Sequence, residues 1–321
     1  MKNRFYRWVS VCLLMCFCLP VWAQDLPEAE TFLWKVSGKN IPGAYLLGTV
    51  HFGKENGTLP QHYARALAQS RMLVVESDAD DIYELPPLKR LILFNLMGSK
   101  QTLAESLGSD RIAALQAALA KGNTTFEING NDYMKPWVTW ISLYTAVVPK
   151  GYSLDTGIDA LLIGEAKKAD KPVVALETVE PMADMAKIPA EVIQRGVDSF
   201  IRHHEDVWRE EILLIDDYHT QQVGKIWRDI QDSEKQMRFV DKQDHAFWTH
   251  YFYEILLKKR NRLWMGHLNR LLPKEEVLIA VGAAHLFGKD GLISYLRQAG
   301  YAVEPVGAET VFQVAEVVNP Q

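Results

Sequence analysis

Four short apolar runs stand far apart along the chain: Ala44–Leu47, Met72–Val75, Pro172–Leu176 and Val277–Val281. Each is aliphatic or β-branched rather than alternating, and each stops at a glycine or a polar residue. That is the pattern of strands buried on both faces. A weaker fifth run, Tyr301–Val306, follows Gly300. Between the second and third runs the period becomes helical, with apolar residues three and four apart in Pro86–Leu96, Thr102–Ala120 and Met134–Val148. Ile158–Ala169 reads as a helix leading into the third strand, and His62–Ser70 and Gly291–Gln298 as helices following the first and fourth. From about 190 to 272 the pattern is almost wholly helical. Its longest piece runs from Ser233 toward Leu272 and carries Phe247, Trp248, Tyr251, Phe252 and Tyr253, a spacing that reads as core packing. The prediction is an α/β (α+β) fold with a central, mostly parallel sheet. A single domain over 24–321 carries helical insertions at about 85–150 and 190–272, and no Gly/Ser- or Pro-rich linker divides it.

The polar residues at the strand ends change the picture. Two of the runs share a form, Leu47-Gly48-Thr49-Val50-His51 and Val281-Gly282-Ala283-Ala284-His285, in which a strand ends in a Gly-x-x-His turn. Gly48 and Gly282 are expected to let the backbone turn sharply. Glu76 closes the second run and Glu177 the third, so each main strand delivers a His or a Glu at or just beyond its carboxyl end. Open α/β sheets place their sites on that edge. Each residue alone reads as a helix cap or a surface charge. As a set on adjacent parallel strands, two imidazoles and one or two carboxylates form an N/O group suited to a divalent metal. Two other patterns fail. His204-Glu205-Asp206-Val207-Trp208 lacks the second histidine of a zinc helix, so His203 and His204 read as surface residues, and His245 and His250 are five apart rather than four. There is no Gly-x-Ser-x-Gly elbow and no phosphate-binding glycine loop.

The amino terminus bears on location. Lys2, Arg4 and Arg7 precede an apolar run from Val9 to Leu19, then Pro20 and Val21-Trp22-Ala23. This reads as a signal peptide over 1–23, cleaved near Ala23–Gln24, and a periplasmic or secreted product. The three cysteines, Cys12, Cys16 and Cys18, all lie in that segment, so the mature chain has no disulfide, cysteine nucleophile or thiolate metal site. Losing Lys2, Arg4 and Arg7 takes the net charge from −5 to −8, which argues against nucleic acid. No later apolar stretch is long enough for a membrane span.

The paired Gly-x-x-His segments, Val75-Glu76, Pro136-Trp137, Gly157-Ile158-Asp159, Lys171 to Thr178, and Arg260-Asn261 occur in the order found in the TraB/GumN family, which this chain resembles over nearly its whole mature length. That family includes the TIKI-type metal-dependent proteases and is distantly similar to erythromycin esterases. The resemblance implies site roles for His51, Glu76, Arg260 and His285, and marks Glu177, Asp159 and Asn261 as family positions. Without it, Arg260 reads as a surface charge in the run Lys258-Lys259-Arg260. The expectation is a metal-dependent hydrolase acting on a peptide or protein. His51, His285 and Glu76 hold a divalent Mn, Co or Zn ion that activates water, Glu177 is the general base, and Arg260 faces the substrate. The alternatives are a peptide- or glycan-sequestering protein without turnover, and a metal-free His/Glu hydrolase of the esterase kind.

Overall fold

The computed structural model describes residues 26–38, 40–77 and 86–307, and the expected signal peptide lies outside them. Among the described residues no helix is long and apolar enough to cross a membrane.

The four apolar runs form adjacent parallel strands: β2 (Ala44–Thr49), β4 (Met72–Val75), β6 (Val173–Ala175) and β7 (Val277–Gly282). They pair β6–β4, β4–β7 and β7–β2, all in parallel register. Two antiparallel strands extend the sheet, β1 (Leu33–Ser37) beside β2 and β8 (Ala302–Pro305) beside β1, giving the order β6-β4-β7-β2-β1-β8. The fold is therefore α+β around a mixed, mostly parallel sheet. β7 lies between β2 and β4, which is why Val277–Val281 is apolar at every position and wholly buried. Each such side chain removed from water contributes about 1.5–3 kcal/mol.

The helices follow the predicted pattern with informative breaks. α1 (Gln61–Gln69) precedes β4, and α2 (Pro87–Met97) follows it. The run at 102–120 divides into α3 (Leu103–Leu107) and α4 (Ser109–Leu119) at Gly108, whose φ of 90° suits glycine. Thr102 and Glu105 form a reciprocal capping box on α3. α5 (Pro136–Thr145) and α6 (Ile158–Lys168) lead to β6, and α7 (Glu180–Met185) follows it. The second insertion contains α8 (Ala190–His219), α9 (Val223–Gln231), α10 (Ser233–Met237) and α11 (His245–His250). α11 continues without a break through a π-helical stretch, Tyr251–Lys259, into α12 (Arg260–Leu271). α13 (Leu292–Gln298) lies between β7 and β8. The insertions have their own apolar core, built from residues such as Leu115, Trp140, Val197, Phe200 and Trp248. His204 belongs to that core, against the rings of Phe200 and Trp208, and is not the surface residue its polarity suggests.

The two predicted Gly-x-x-His turns are not turns made by glycine. Gly48 lies inside β2, and Gly282, the last residue of β7, has an ordinary φ of −51°. Both glycines lie in tight quarters instead. A Cβ on Gly48 would come within 3.0 Å of the Ala283 Cα, and one on Gly282 within 3.1 Å of Glu76 Oε1.

Candidate active site at the carboxyl edge of the sheet

His51 follows β2 by two residues, and local pairing fixes it. β3 (Gly53–Lys54) pairs with β5 (Tyr152–Ser153), drawing the chain after β2 against the start of α6. There the Ile158 N–H donates to the Val50 carbonyl at 2.9 Å. Gly157 permits the approach, since a Cβ on it would lie 2.4 Å from the His51 carbonyl oxygen. Asp159, in the first turn of α6, then meets His51 Nδ1 at 2.7 Å. The hydrogen bond and charge of Asp159 outweigh burial and push the imidazole up to about 9. The other Asp159 oxygen is buried with no partner. The His51 side chain remains 64% exposed, and Nε2 makes no hydrogen bond among the described residues. Gly157→Ala is expected to cost about 1–3 kcal/mol by overpacking against a backbone that cannot yield, read as a lower urea midpoint with unchanged slope.

The other strand ends meet around one cation. Arg260 stands where the π-helical stretch returns to α-helix. Its Nη2 donates to Glu76 Oε2 at 2.5 Å and also to Glu177 Oε1. Its Nε lies 3.0 and 3.1 Å from the two Glu177 oxygens, and its Nη1 donates to His285 Nε2 at 3.2 Å. The guanidinium also lies over the Trp264 ring, whose indole N–H donates to Glu177 Oε2 at 3.0 Å. Glu76 Oε1 accepts the Gly282 N–H at 2.6 Å.

His285 follows β7 in a 3₁₀ turn and is almost fully buried. Since Arg260 can only donate, His285 Nε2 accepts, and Nδ1 carries the proton that is donated to Asn261 Oδ1 at 2.7 Å. Asn261 in turn donates to the carbonyls of His285 and Asp290. Burial lowers His285 to about 4 and keeps it neutral. Burial works against the Glu76 charge, but His285 when protonated, Arg260, His51 and the Gly282 N–H together hold its carboxyl down at about 2. Glu177 is pushed up, chiefly by burial, although Arg260 and Trp264 oppose the shift.

The signs of these shifts define a stability profile. His285 falls from 6.5 in the unfolded chain to about 4, and Glu76 from 4.5 to about 2, so the unfolded chain binds more protons in both windows. Both contributions are complete above the unfolded values and are lost on acidification. His51 has the opposite sign: its contribution is present below 6.5 and lost as the pH rises to about 9. These three groups alone place the maximum of the urea midpoint near pH 6.5. Glu211, raised from 4.5 to about 8 by burial, adds a contribution present below 4.5 and lost as the pH rises to 8, so the profile is to be read in a Glu211→Gln background. There, unchanged midpoints from pH 6.5 down to 4 would contradict the neutral, buried His285.

The structure thus brings together His51, Glu76, Glu177, Arg260 and His285, with Asp159 and Asn261 behind the two histidines. It overturns the expected metal centre. Among the described residues, no group of three or more His, Cys, Asp or Glu side chains could hold a metal ion. The physical reason is Arg260. Its guanidinium occupies the middle of the set and already engages oxygens of both carboxylates. His285 has no free lone pair, because one nitrogen accepts from Arg260 and the other donates to Asn261. The divalent Mn, Co or Zn ion, and with it the metal-dependent hydrolase or peptidase, do not fit these residues. Sequence reasoning missed Trp264, which a helical period marks only as core, and gave Asp159 no specific task.

Comparisons with known proteins cover nearly all of the described chain. The sequence profile of the TraB/PrgY/gumN family matches residues 32–305. A Shigella flexneri protein, uncharacterized protein YbaP, is 23% identical over 272 residues, 83% of this chain and 93% of its own. The like-named Escherichia coli K12 protein matches to the same extent. Metalloprotease TIKI2 of Xenopus tropicalis is 23% identical over 93% of this chain, which spans only 63% of that protein.

Proposed function

The chain belongs to the TraB/PrgY/gumN family, and we propose that it is a metal-free hydrolase of esters or amides in which His51 moves the proton. One observation carries this reading. Among the titratable groups gathered at the sheet edge, His51 alone presents an uncommitted, exposed nitrogen, and Asp159 orients its ring from the opposite side at 2.7 Å. A carboxylate that fixes the tautomer and stabilises the imidazolium is the arrangement used for general acid–base catalysis. In the proposed step, Nε2 accepts a proton from water as the water oxygen attacks the substrate carbonyl carbon. The tetrahedral intermediate then collapses, its C–O or C–N bond breaks, and His51 returns the proton to the leaving alcohol or amine. Arg260, Glu76, Glu177, His285, Asn261 and Trp264 form the rigid platform beneath the reacting group, with glycines at 48, 157 and 282 admitting the close approaches.

The neutral imidazole is the base, and Asp159 raises its pKa to about 9. Turnover should therefore rise about tenfold per pH unit from pH 6 and level near pH 9. A panel of p-nitrophenyl esters and peptide p-nitroanilides, assayed across that range against His51→Ala, tests this. A profile flat from pH 6 to 9, or turnover intact in His51→Ala, would remove the proposed role. A second reading, ligand retention without cleavage, is favoured by the same raised pKa, because a cationic His51 at neutral pH attracts a carboxylate. A probe that binds and is recovered whole across the full pH range would select it. The reading also takes 1–23 as an export signal. N-terminal sequencing of the mature protein should begin at or near Gln24, and soluble product retaining Met1 would refute export.

A further inference from the structure

A second enclosure lies away from the sheet edge, between α5, α8, α9 and the helix that runs from α11 through the π-helical stretch. Its volume is about 430 Å³, within the range of small-molecule sites. Aromatic rings form much of its wall. Trp140 of α5 stacks on Trp248 of α11 with centroids 4.7 Å apart, and Tyr144 leans on Trp140 at 5.4 Å. Gly196 of α8 lets the Trp140 indole lie against that helix, since a Cβ there would come within 2.6 Å of Trp140 Nε1.

The charges on the wall are unbalanced. Its four cations are each paired: Arg195 with Asp244, Lys225 with Asp217, Lys235 with Asp229, and Arg238 with Glu210. Asp241 accepts the Gln243 N–H at the head of a 3₁₀ turn. Glu211 of α8 has no ion pair or hydrogen bond among the described residues, although it lines the cavity. It lies near enough to Tyr144 to add to the effect of burial in raising that phenol. The Tyr251 hydroxyl, on the same wall, is also buried without a partner.

We propose that this cavity binds a small organic cation, an ammonium bearing an apolar group, with Glu211 as counter-ion and Trp140, Trp248 and Tyr144 as its aromatic enclosure. Aromatic faces attract a desolvated cation, and a carboxylate left without an ion pair on a wall whose cations are all paired lacks the positive charge such a ligand brings. Burial pushes Glu211 up to about 8, and among the described residues no cation pairs with it.

The test titrates the full chain with benzyltrimethylammonium chloride, using calorimetry and tryptophan fluorescence, with benzyl alcohol as the neutral aromatic comparison. Saturable one-to-one binding is expected, with quenching from Trp140 and Trp248 and benzyl alcohol weaker by about tenfold or more. Glu211→Gln should lose about as much, and His51→Ala should lose nothing, which separates this site from the sheet edge. No saturable binding, equal affinity for benzyl alcohol, or an unchanged affinity in a folded Glu211→Gln protein overturns the proposal. The benzyl alcohol comparison on wild type decides the matter even if Glu211→Gln does not fold.

Discussion

Arg260→Ala is expected to cost about 3–5 kcal/mol, because it leaves Glu76 and Glu177 buried beside each other without the cation that both contact. The loss should exceed that of any surface arginine on the same helix. Glu76 and Glu177 are 16% and 8% exposed, so water cannot replace the guanidinium. His285 would lose the donor to Nε2 as well. Arg260→Lys should restore only part of the stability, since one ammonium cannot reproduce donors placed on two carboxylates and an imidazole. Urea unfolding of the three proteins at pH 6.5 reads this directly. A midpoint within error of wild type for Arg260→Ala would mean that the carboxylates find another partner.

Asp159→Ala is expected to lower turnover at pH 9, where the imidazole is largely neutral without it, by about a hundredfold or more, because His51 loses the carboxylate that fixes its tautomer and offsets the imidazolium charge. The same change should bring the His51 imidazole down from about 9 toward 6.5, because the Asp159 hydrogen bond is the largest cause of its elevation. Imidazole resonances followed by NMR against pH give the second readout. A merely structural Asp159 would leave the His51 titration in place, so the two measurements together separate positioning from packing.

Much of this arrangement is legible in the sequence because residue type and position agree at the strand ends. Three of the four all-apolar runs are interior strands, whereas Val173–Ala175, also read as buried, is the edge strand, with Val174 39% exposed. All four nevertheless pack in parallel, so His51, Glu76, Glu177 and His285 share one edge. What the edge does with them depends on contacts between residues far apart in the chain. Arg260 reaches Glu177 across 83 positions and Glu76 across 184, and no period or spacing records that a cation will occupy the place a metal would need. The glycines mislead in the same way. A strand-end glycine suggests a turn, whereas Gly48 and Gly282 are small because Ala283 and Glu76 lie against them. β1 escapes the pattern because exposed Lys35 interrupts an otherwise buried run. The π-helical stretch leaves no trace in the apolar period, yet Arg260 stands at its end, consistent with the tendency of such stretches to occur at functional sites.

In the proposed reaction, proton transfer at His51 supports hydrolysis without a bound metal. The most direct test is turnover of p-nitrophenyl butyrate at pH 9 by protein dialysed exhaustively against a chelator, beside His51→Ala treated identically. Chelated wild type is expected to keep its full rate, added Mn, Co or Zn not to raise it, and His51→Ala to fall to background. Loss of the rate on chelation, with recovery on adding one of those ions, would contradict the metal-free reaction.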